Sequence, residues 1–248
     1  AETAGARVVE DACHMLGGAH RGAPIGACTH SDMATFSFHP VKTVACGEGG
    51  AVTTRDPALH ERVCRLRNHG IEREPSKLRD KALAGHGGQA NPWYYEMAEP
   101  GFNYRLSDIH AALGASQLAK LDRFVARRRA LVDRYHTALA PLAPAVRPMP
   151  WTAHTDPAWH LMVALVDFEG AGTDRATVMA RLRERDIGSQ VHYIPVPWQP
   201  YYRDRTGDRD FPGAADYYRR CLVLALYPAM ADGDADRVAD ALGAALGL

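Results

Sequence analysis

The sequence predicts an α/β protein of two units, a larger one built on a mainly parallel sheet and a smaller α+β one. Three observations predict it. Short apolar runs at Arg7–Val9 and Met33–Phe38 end in polar residues, as strands buried in a parallel sheet do. Long helical periodicities follow them, through Ile109, Leu113, Leu118 and Leu121. Pro141, Pro144, Pro148 and Pro150 then form a stiff stretch, beyond which the pattern changes. The boundary is therefore set there, giving units 1–140 and 141–248.

The elements are read in chain order. Arg7-Val8-Val9 is a strand that delivers Glu10 and Asp11 at its C-terminal end. Gly17, Gly18 and Gly22 mark turns. Met33–Phe38 is a second strand, and Ala51–Thr54 a third. Pro40 and Gly47-Glu48-Gly49-Gly50 bracket an exposed loop between them. Asp56 with Pro57 starts a helix that runs to Asn68 and stops at Gly70. Residues 71–101 are polar and rich in Gly and Pro, which suits a functional loop. Ser107 caps the next helix, and another covers Phe124–Leu139 with Arg127-Arg128-Arg129 as a solvated face. In the smaller unit, His160–Asp167 and Gln190–Ile194 read as strands. Asp174–Arg185, capped by Thr173, reads as a helix, as do Asp216–Cys221 and Asp232–Leu246.

The chain has 248 residues, with 29 Lys and Arg against 29 Asp and Glu. A net charge of zero argues against nucleic-acid or anionic-membrane partners, which need a basic surplus. The five cysteines are odd in number and lack CxxC spacing. They predict neither a disulfide framework nor a zinc site, and they suit a reducing cytoplasm. The first residues lack the basic start and apolar core of a leader peptide. The longest apolar stretch, Cys221–Ala231, contains Pro228 and is too short to span a bilayer.

Familiar motifs are absent: there is no GxGxxG, GxxxxGK[ST], HExxH or GxSxG, and the histidines lack ligand spacing, so no metal is expected. Two segments remain, Glu10-Asp11-Ala12-Cys13-His14 and Ser37-Phe38-His39-Pro40-Val41-Lys42. Each places polar groups past the end of a parallel strand, where open α/β sheets bind ligands. A lysine amine can form a Schiff base with the aldehyde of pyridoxal phosphate, and that cofactor needs an acid against its ring nitrogen. Lys42 and Asp11 have the positions for these parts, and Ser37 for a phosphate contact. The residues alone equally allow a strand-end aspartate that forms a turn, a solvated lysine and glycines that only turn the chain.

Longer blocks narrow the choice. VVEDACHMLGG, ATFSFHPVKTVACGEGGAVTT and GFNYRLSDIHAALGASQLAKLD resemble the DegT/DnrJ/StrS family of sugar aminotransferases. RLRNHGI, PWYYEM and SQVHYIPVPWQPYY look most like the PseC-type branch, which makes UDP-4-amino-4,6-dideoxy-N-acetyl-β-L-altrosamine for pseudaminic acid. The resemblance covers nearly the whole chain. It implies a fold-type-I transferase dependent on pyridoxal 5'-phosphate: a partial large domain followed by a small C-terminal domain. It implies that Lys42 is the Schiff-base lysine and Asp11 the partner of the pyridine nitrogen. His14 matches the residue against the cofactor ring, and Ser37 the serine on its phosphate. Asn103 matches an asparagine that reaches the phosphate of the neighbouring subunit. His192 and Tyr193 match a segment near the sugar. His39 and Glu48 match the motif without an assigned role.

The implied reaction moves an amino group from glutamate to C4 of a UDP-linked 4-keto-6-deoxy-N-acetylhexosamine, in a cytoplasmic homodimer. Family members that are dehydratases carry histidine in place of the lysine, so Lys42 favours amino transfer. Another nucleotide sugar is the alternative acceptor. Family members also carry a long segment before the VVEDA strand, with a phosphate-cradling turn, and nothing here corresponds. The expectation is a chain without the family's N-terminal third, whose strands expose edges and apolar faces. A non-catalytic homologue is the reading from another functional class.

Overall fold

The computed structural model describes residues 1–207 and 210–248. The chain divides into two compact units. One comprises Ala1–Leu16 with Ala23–Ala119, the other Gly17–Gly22 with Lys120–Leu248.

The first unit is organised by a three-stranded sheet in which β2 (Met33–Ser37) lies between β1 (Val9–Asp11) and β3 (Gly50–Thr54). β1 and β2 run parallel, with Asp11 opposite Thr35. β3 returns antiparallel, with Gly50 opposite Ser37. The C-terminal ends of β1 and β2 and the loop between β2 and β3 therefore meet at one end of the sheet. Ala34 and Phe36 point into a small core with Ala12 and Cys28. The expected exposure of apolar positions is seen at Val9, which is 52% exposed, and Val52, 45%.

α1 (Pro57–Leu66) begins where the Asp56 carboxylate accepts from the amides of Ala58 and Leu59. The long loop 71–101 is pinned rather than loose. Ile71–Glu72 pairs with Glu96–Met97, and Gly85–His86 with Gln89–Ala90. The Glu96 carboxylate accepts from the amides of Arg79 and Asp80 and from the Tyr94 hydroxyl. α2 (Asp108–Leu118) starts as read, with the Ser107 hydroxyl accepting the His110 amide. Its apolar residues do not form a core face, however: Ile109 is 82% exposed.

α3 (Leu121–Leu139) opens the second unit. The longer run of this unit begins at Lys120, ahead of the proline stretch, and Gly17–Gly22 packs with it. Leu131, Val132, Tyr135 and Leu139 belong to the core that also holds Val146, Met162, Val166 and Leu222. The proline stretch is not a free linker. Val146–Pro148 forms β4, an edge strand antiparallel to β5 (Met162–Val166). Edge placement tolerates Pro148, which has no amide to donate. β6 (Cys221–Leu224) completes this sheet on the other side of β5.

Other sequence readings need correction. The cap of α4 (Arg175–Arg183) is Asp174, not Thr173: its carboxylate accepts both the amide and the hydroxyl of Thr177. The helix read at 216–221 spans Pro212–Arg220 and is labelled α5. Gln190–Ile194 is not a strand, and only Gln190 bridges to Val223. α6 (Asp234–Leu246) packs its alanine-rich face into the core.

The arginine run is also not a simple solvated face. Arg127 pairs with Asp232 at 2.6 Å and Arg129 with Asp156 at 2.8 Å. Arg128 is buried, and burial lowers its pKa. Its guanidinium donates to the carbonyls of Trp159, His160 and Leu226 at 3.3, 3.1 and 3.0 Å. Arg128→Ala strands those carbonyls and opens a hole beneath α3. Denaturant unfolding should show a loss of about 3 kcal/mol, while Arg127→Ala, whose Asp232 partner is exposed, should cost less than about 1 kcal/mol.

Candidate active site

Asp11 is the last residue of β1, and its carboxylate is turned by the chain that follows: Oδ1 accepts the Cys13 amide at 3.2 Å. This local turn, in which an aspartate binds an amide two residues on, is the geometry its side chain favours. Hydrogen bonds from the Cys13 thiol and amide hold the Asp11 carboxyl below its ordinary pKa, and the nearby charges of His14 and Lys42 lower it further. Desolvation opposes them and outweighs the effect of either of those two charges, but not the Cys13 hydrogen bonds. The carboxylate is thus an anion above about pH 4, with His14 and Lys42 within electrostatic reach.

Cys13 is the residue that sequence reading passed over. Its thiol lies between Asp11 and Thr35, and desolvation raises its pKa, so it sits there as a protonated donor. The short spacing of Asp11 to Cys13 was the available signal.

Ser37 ends β2, one strand over. Its hydroxyl oxygen accepts the His39 amide at 3.4 Å, which leaves its own hydrogen to donate. The loop carrying Lys42 is closed at its base: Phe38 donates to the Gly49 carbonyl at 2.8 Å and Cys46 to the Phe38 carbonyl at 3.0 Å. Within it, the Lys42 amide donates to the His39 carbonyl at 2.9 Å. Gly49 has φ +154°, and a Cβ there would come within 2.9 Å of Cys46 Sγ. The loop's glycines thus permit close packing as well as turning.

Asn103 stands on a separate arm. Its segment bridges to Asn68, with His69 donating to Phe102, Phe102 to Leu66 and Tyr104 to Arg67. The Asn103 side-chain oxygen accepts from Arg105 at 3.1 and 3.3 Å. Arg65 clasps Glu99 at 2.8 and 3.2 Å, and that hydrogen bond holds the Glu99 carboxyl below its usual pKa. The RLRNHG segment is therefore the brace of the GFNYR segment. Gly70, at φ +70°, has no room for a side chain: a Cβ would fall 1.7 Å from the Glu99 carbonyl oxygen. Gly70→Ala should lower stability by about 2–4 kcal/mol and speed amide exchange at Phe102 and Tyr104, read by hydrogen-exchange mass spectrometry.

His192 and Tyr193 lie in the second unit. The Tyr217 hydroxyl donates to the His192 carbonyl at 2.9 Å, and the His192 and Tyr193 rings meet edge-on with centroids 4.4 Å apart. Tyr193 is exposed. Among the described residues no group of His, Cys, Asp and Glu could hold a metal, and no helix is long and apolar enough to cross a membrane.

The donor set at the end of β1 and β2 fits pyridoxal 5'-phosphate. An ionised carboxylate suits a pyridinium nitrogen, an amine near it suits an aldehyde, and a hydroxyl with a hydrogen to give suits a phosphate. Comparison with known proteins agrees. Residues 1–243 match the model of the DegT/DnrJ/EryC1/StrS aminotransferase family. The spore coat polysaccharide biosynthesis protein SpsC of Bacillus subtilis is 38% identical over 247 residues, covering 98% of this chain and 60% of that protein. The putative sugar aminotransferase Spr1654 of Streptococcus pneumoniae, solved in a PMP-form, is 26% identical with a TM-score of 0.82. That match covers 97% of this chain and 59% of Spr1654. Helicobacter pylori PseC, an aminotransferase of pseudaminic acid biosynthesis, is 23% identical with a TM-score of 0.86, over 99% of this chain and 61% of its own, a likeness of fold. The chain thus spans about 60% of the length of these relatives, with the fold of a type-I pyridoxal-phosphate transferase. It belongs to the DegT/DnrJ/EryC1/StrS aminotransferase family.

Proposed function

We propose that the protein is a pyridoxal 5'-phosphate-dependent aminotransferase of nucleotide sugars, taking its amino group from glutamate. The observation that carries this reading is the Asp11 carboxylate, kept ionised within electrostatic reach of Lys42 at one end of the sheet. When bound, the cofactor supplies an electron sink for a carbanion next to nitrogen. With the cofactor bound, Lys42 Nζ would hold its aldehyde and would carry the proton to and from the carbon that bears the amino group. Asp11 keeps the ring nitrogen cationic. Ser37 would donate to the cofactor's phosphate, and His14 would stand beside its ring. Asn103 reaches the phosphate of a second subunit, which makes the working form a homodimer. His192 and Tyr193 contact the sugar.

The acceptor we favour is a UDP-linked 4-keto-6-deoxy-N-acetylhexosamine, as in pseudaminic acid synthesis. Its support is the run of RLRNHGI, PWYYEM and SQVHYIPVPWQPYY, together with the fold shared with PseC. A second acceptor class has its own support. DesI, solved in the presence of its TDP-sugar product, is 28% identical with a TM-score of 0.79. Incubation with glutamate and each 4-keto sugar, followed by mass spectrometry of the amino sugar, separates the two. Product from the UDP-N-acetyl substrate alone supports the first reading, and product from the TDP substrate alone replaces it. Absence of amino sugar with both substrates overturns the activity.

A further inference from the structure

The SFHPVK segment contains a histidine that the proposed chemistry leaves unused. Yet the hydrogen-bonded amides of the turn that presents Lys42 both lead to it. The Lys42 amide donates to the His39 carbonyl at 2.9 Å, and the Val41 amide reaches His39 Nδ1 at 3.5 Å. The His39 amide in turn donates to Ser37 Oγ at 3.4 Å, which ties the turn to the end of β2. Pro40, between them, has no amide of its own and a fixed φ, so it leaves Val41 and Lys42 as the donors to be satisfied. A histidine that accepts at Nδ1 carries its hydrogen on Nε2 when neutral. That Nε2 lies 3.9 Å from Glu48 Oε1, on the far side of the same loop. The loop base is closed by Phe38, Cys46 and Gly49, and Cys46 Sγ donates to the Glu48 carbonyl at 3.2 Å. Glu48 is thus delivered by a fixed stretch of backbone.

We propose that His39 is a positioning residue for Lys42: its Nδ1 and carbonyl hold the Val41 and Lys42 amides, and the Glu48 carboxylate, on the Nε2 side of the ring, favours a hydrogen on that nitrogen. This rests on the reading of Lys42 as the cofactor-bearing amine. A lysine stem has four rotatable bonds, and where its amine arrives depends on the direction in which the backbone launches it. His39 fixes that direction through the backbone amides of Val41 and Lys42. The His39–Glu48 pair is exposed, so its value lies in orientation rather than in net stability.

The test uses the cofactor-free full chain, so it does not depend on turnover. Hydrogen exchange of the Val41 and Lys42 amides is compared with competitive acetylation of Lys42, with Lys120 as internal reference, in His39→Ala, His39→Asn, His39→Gln and Glu48→Gln. In His39→Ala the Val41 amide should exchange about tenfold faster, and Lys42 acetylation should change about threefold relative to Lys120. Asparagine places an acceptor where Nδ1 stands, so His39→Asn should restore both to within about twofold, whereas His39→Gln should not. Glu48→Gln should fall between wild type and His39→Ala. Unchanged exchange and acetylation in His39→Ala overturns the proposal, as does His39→Asn behaving like His39→Gln. That last comparison still decides if the alanine variant does not fold. Failure of pyridoxal phosphate to bind the wild-type chain would remove the proposed function while leaving these amide measurements to judge His39 separately.

Discussion

Replacing Lys42 with alanine is expected to abolish covalent capture of pyridoxal 5'-phosphate and to reduce amino transfer at least about ten-thousandfold. Lys42 stands apart from the other three lysines. Lys77 is paired with Glu61 at 2.6 Å, and Lys81 donates to the carbonyls of Pro75 and Ser76. Lys120 precedes α3 in the second unit. Lys42 is the lysine whose charge is felt by Asp11 and Cys13, and it is half-buried in the loop that follows β2. Borohydride reduction in the presence of the cofactor, followed by mass spectrometry of the 36–55 peptide, should show the added mass in the wild type and none in Lys42→Ala. Lys42→Arg should behave like the alanine variant, because a guanidinium stays protonated and cannot act as the nucleophile. Lys81→Ala should retain the label. Label on any peptide in Lys42→Ala at the wild-type level would remove Lys42 from the chemistry.

The parts of the site that were legible in the sequence are those fixed over a few residues. Asp11 and Ser37 end adjacent parallel strands, and the apolar runs before them announce those strands. What brings them to one end of the sheet is the register of Asp11 with Thr35, a long-range property that no local pattern encodes. Cys13 was passed over, and His39 left without a role, for a different reason. Their contribution is a hydrogen bond to a neighbour two residues away, which looks in sequence like any turn. The helices of the second unit were legible because their caps and periodicity are local, although Asp174 rather than Thr173 supplied the cap of α4. β4 was hidden by Pro148, whose cost vanishes at an edge, and by the prolines flanking it. Arg128 was hidden by its neighbours, since a run of three arginines looks uniformly solvated while a helix turns the middle one inward. The exposed Ile109 shows the converse: strong helical periodicity states that a face is apolar but does not state what covers it.

Asp11→Asn should separate binding from chemistry. The carboxylate's pKa is depressed, so its charge is present above the ordinary carboxylate range and is lost only as pH falls through the lowered value. Any activity that needs the anion should therefore be flat from about pH 5 upward as far as this group is concerned. Asparagine keeps the size and still accepts the Cys13 amide through its side-chain oxygen, so the turn after β1 is preserved. On the proposed reading, the negative charge opposite the ring nitrogen would be lost, and with it the preference for a cationic ring. Proton transfer at the carbon bearing the amino group should slow about a thousandfold, on the order of 4 kcal/mol in barrier. Lys42 should remain in place, so the borohydride label on the 36–55 peptide should persist. Single-turnover measurement with glutamate reads the rate, and the label reads the binding. A variant that loses both signals together would make Asp11 a determinant of cofactor retention. One that keeps the full rate would show that the carboxylate does not face the ring at all. Cys13→Ala tests the same carboxylate from its other side. Removing the thiol donor should raise the Asp11 pKa toward its ordinary value and move the acid limb of the rate profile to higher pH, with the plateau rate changed by less than about threefold.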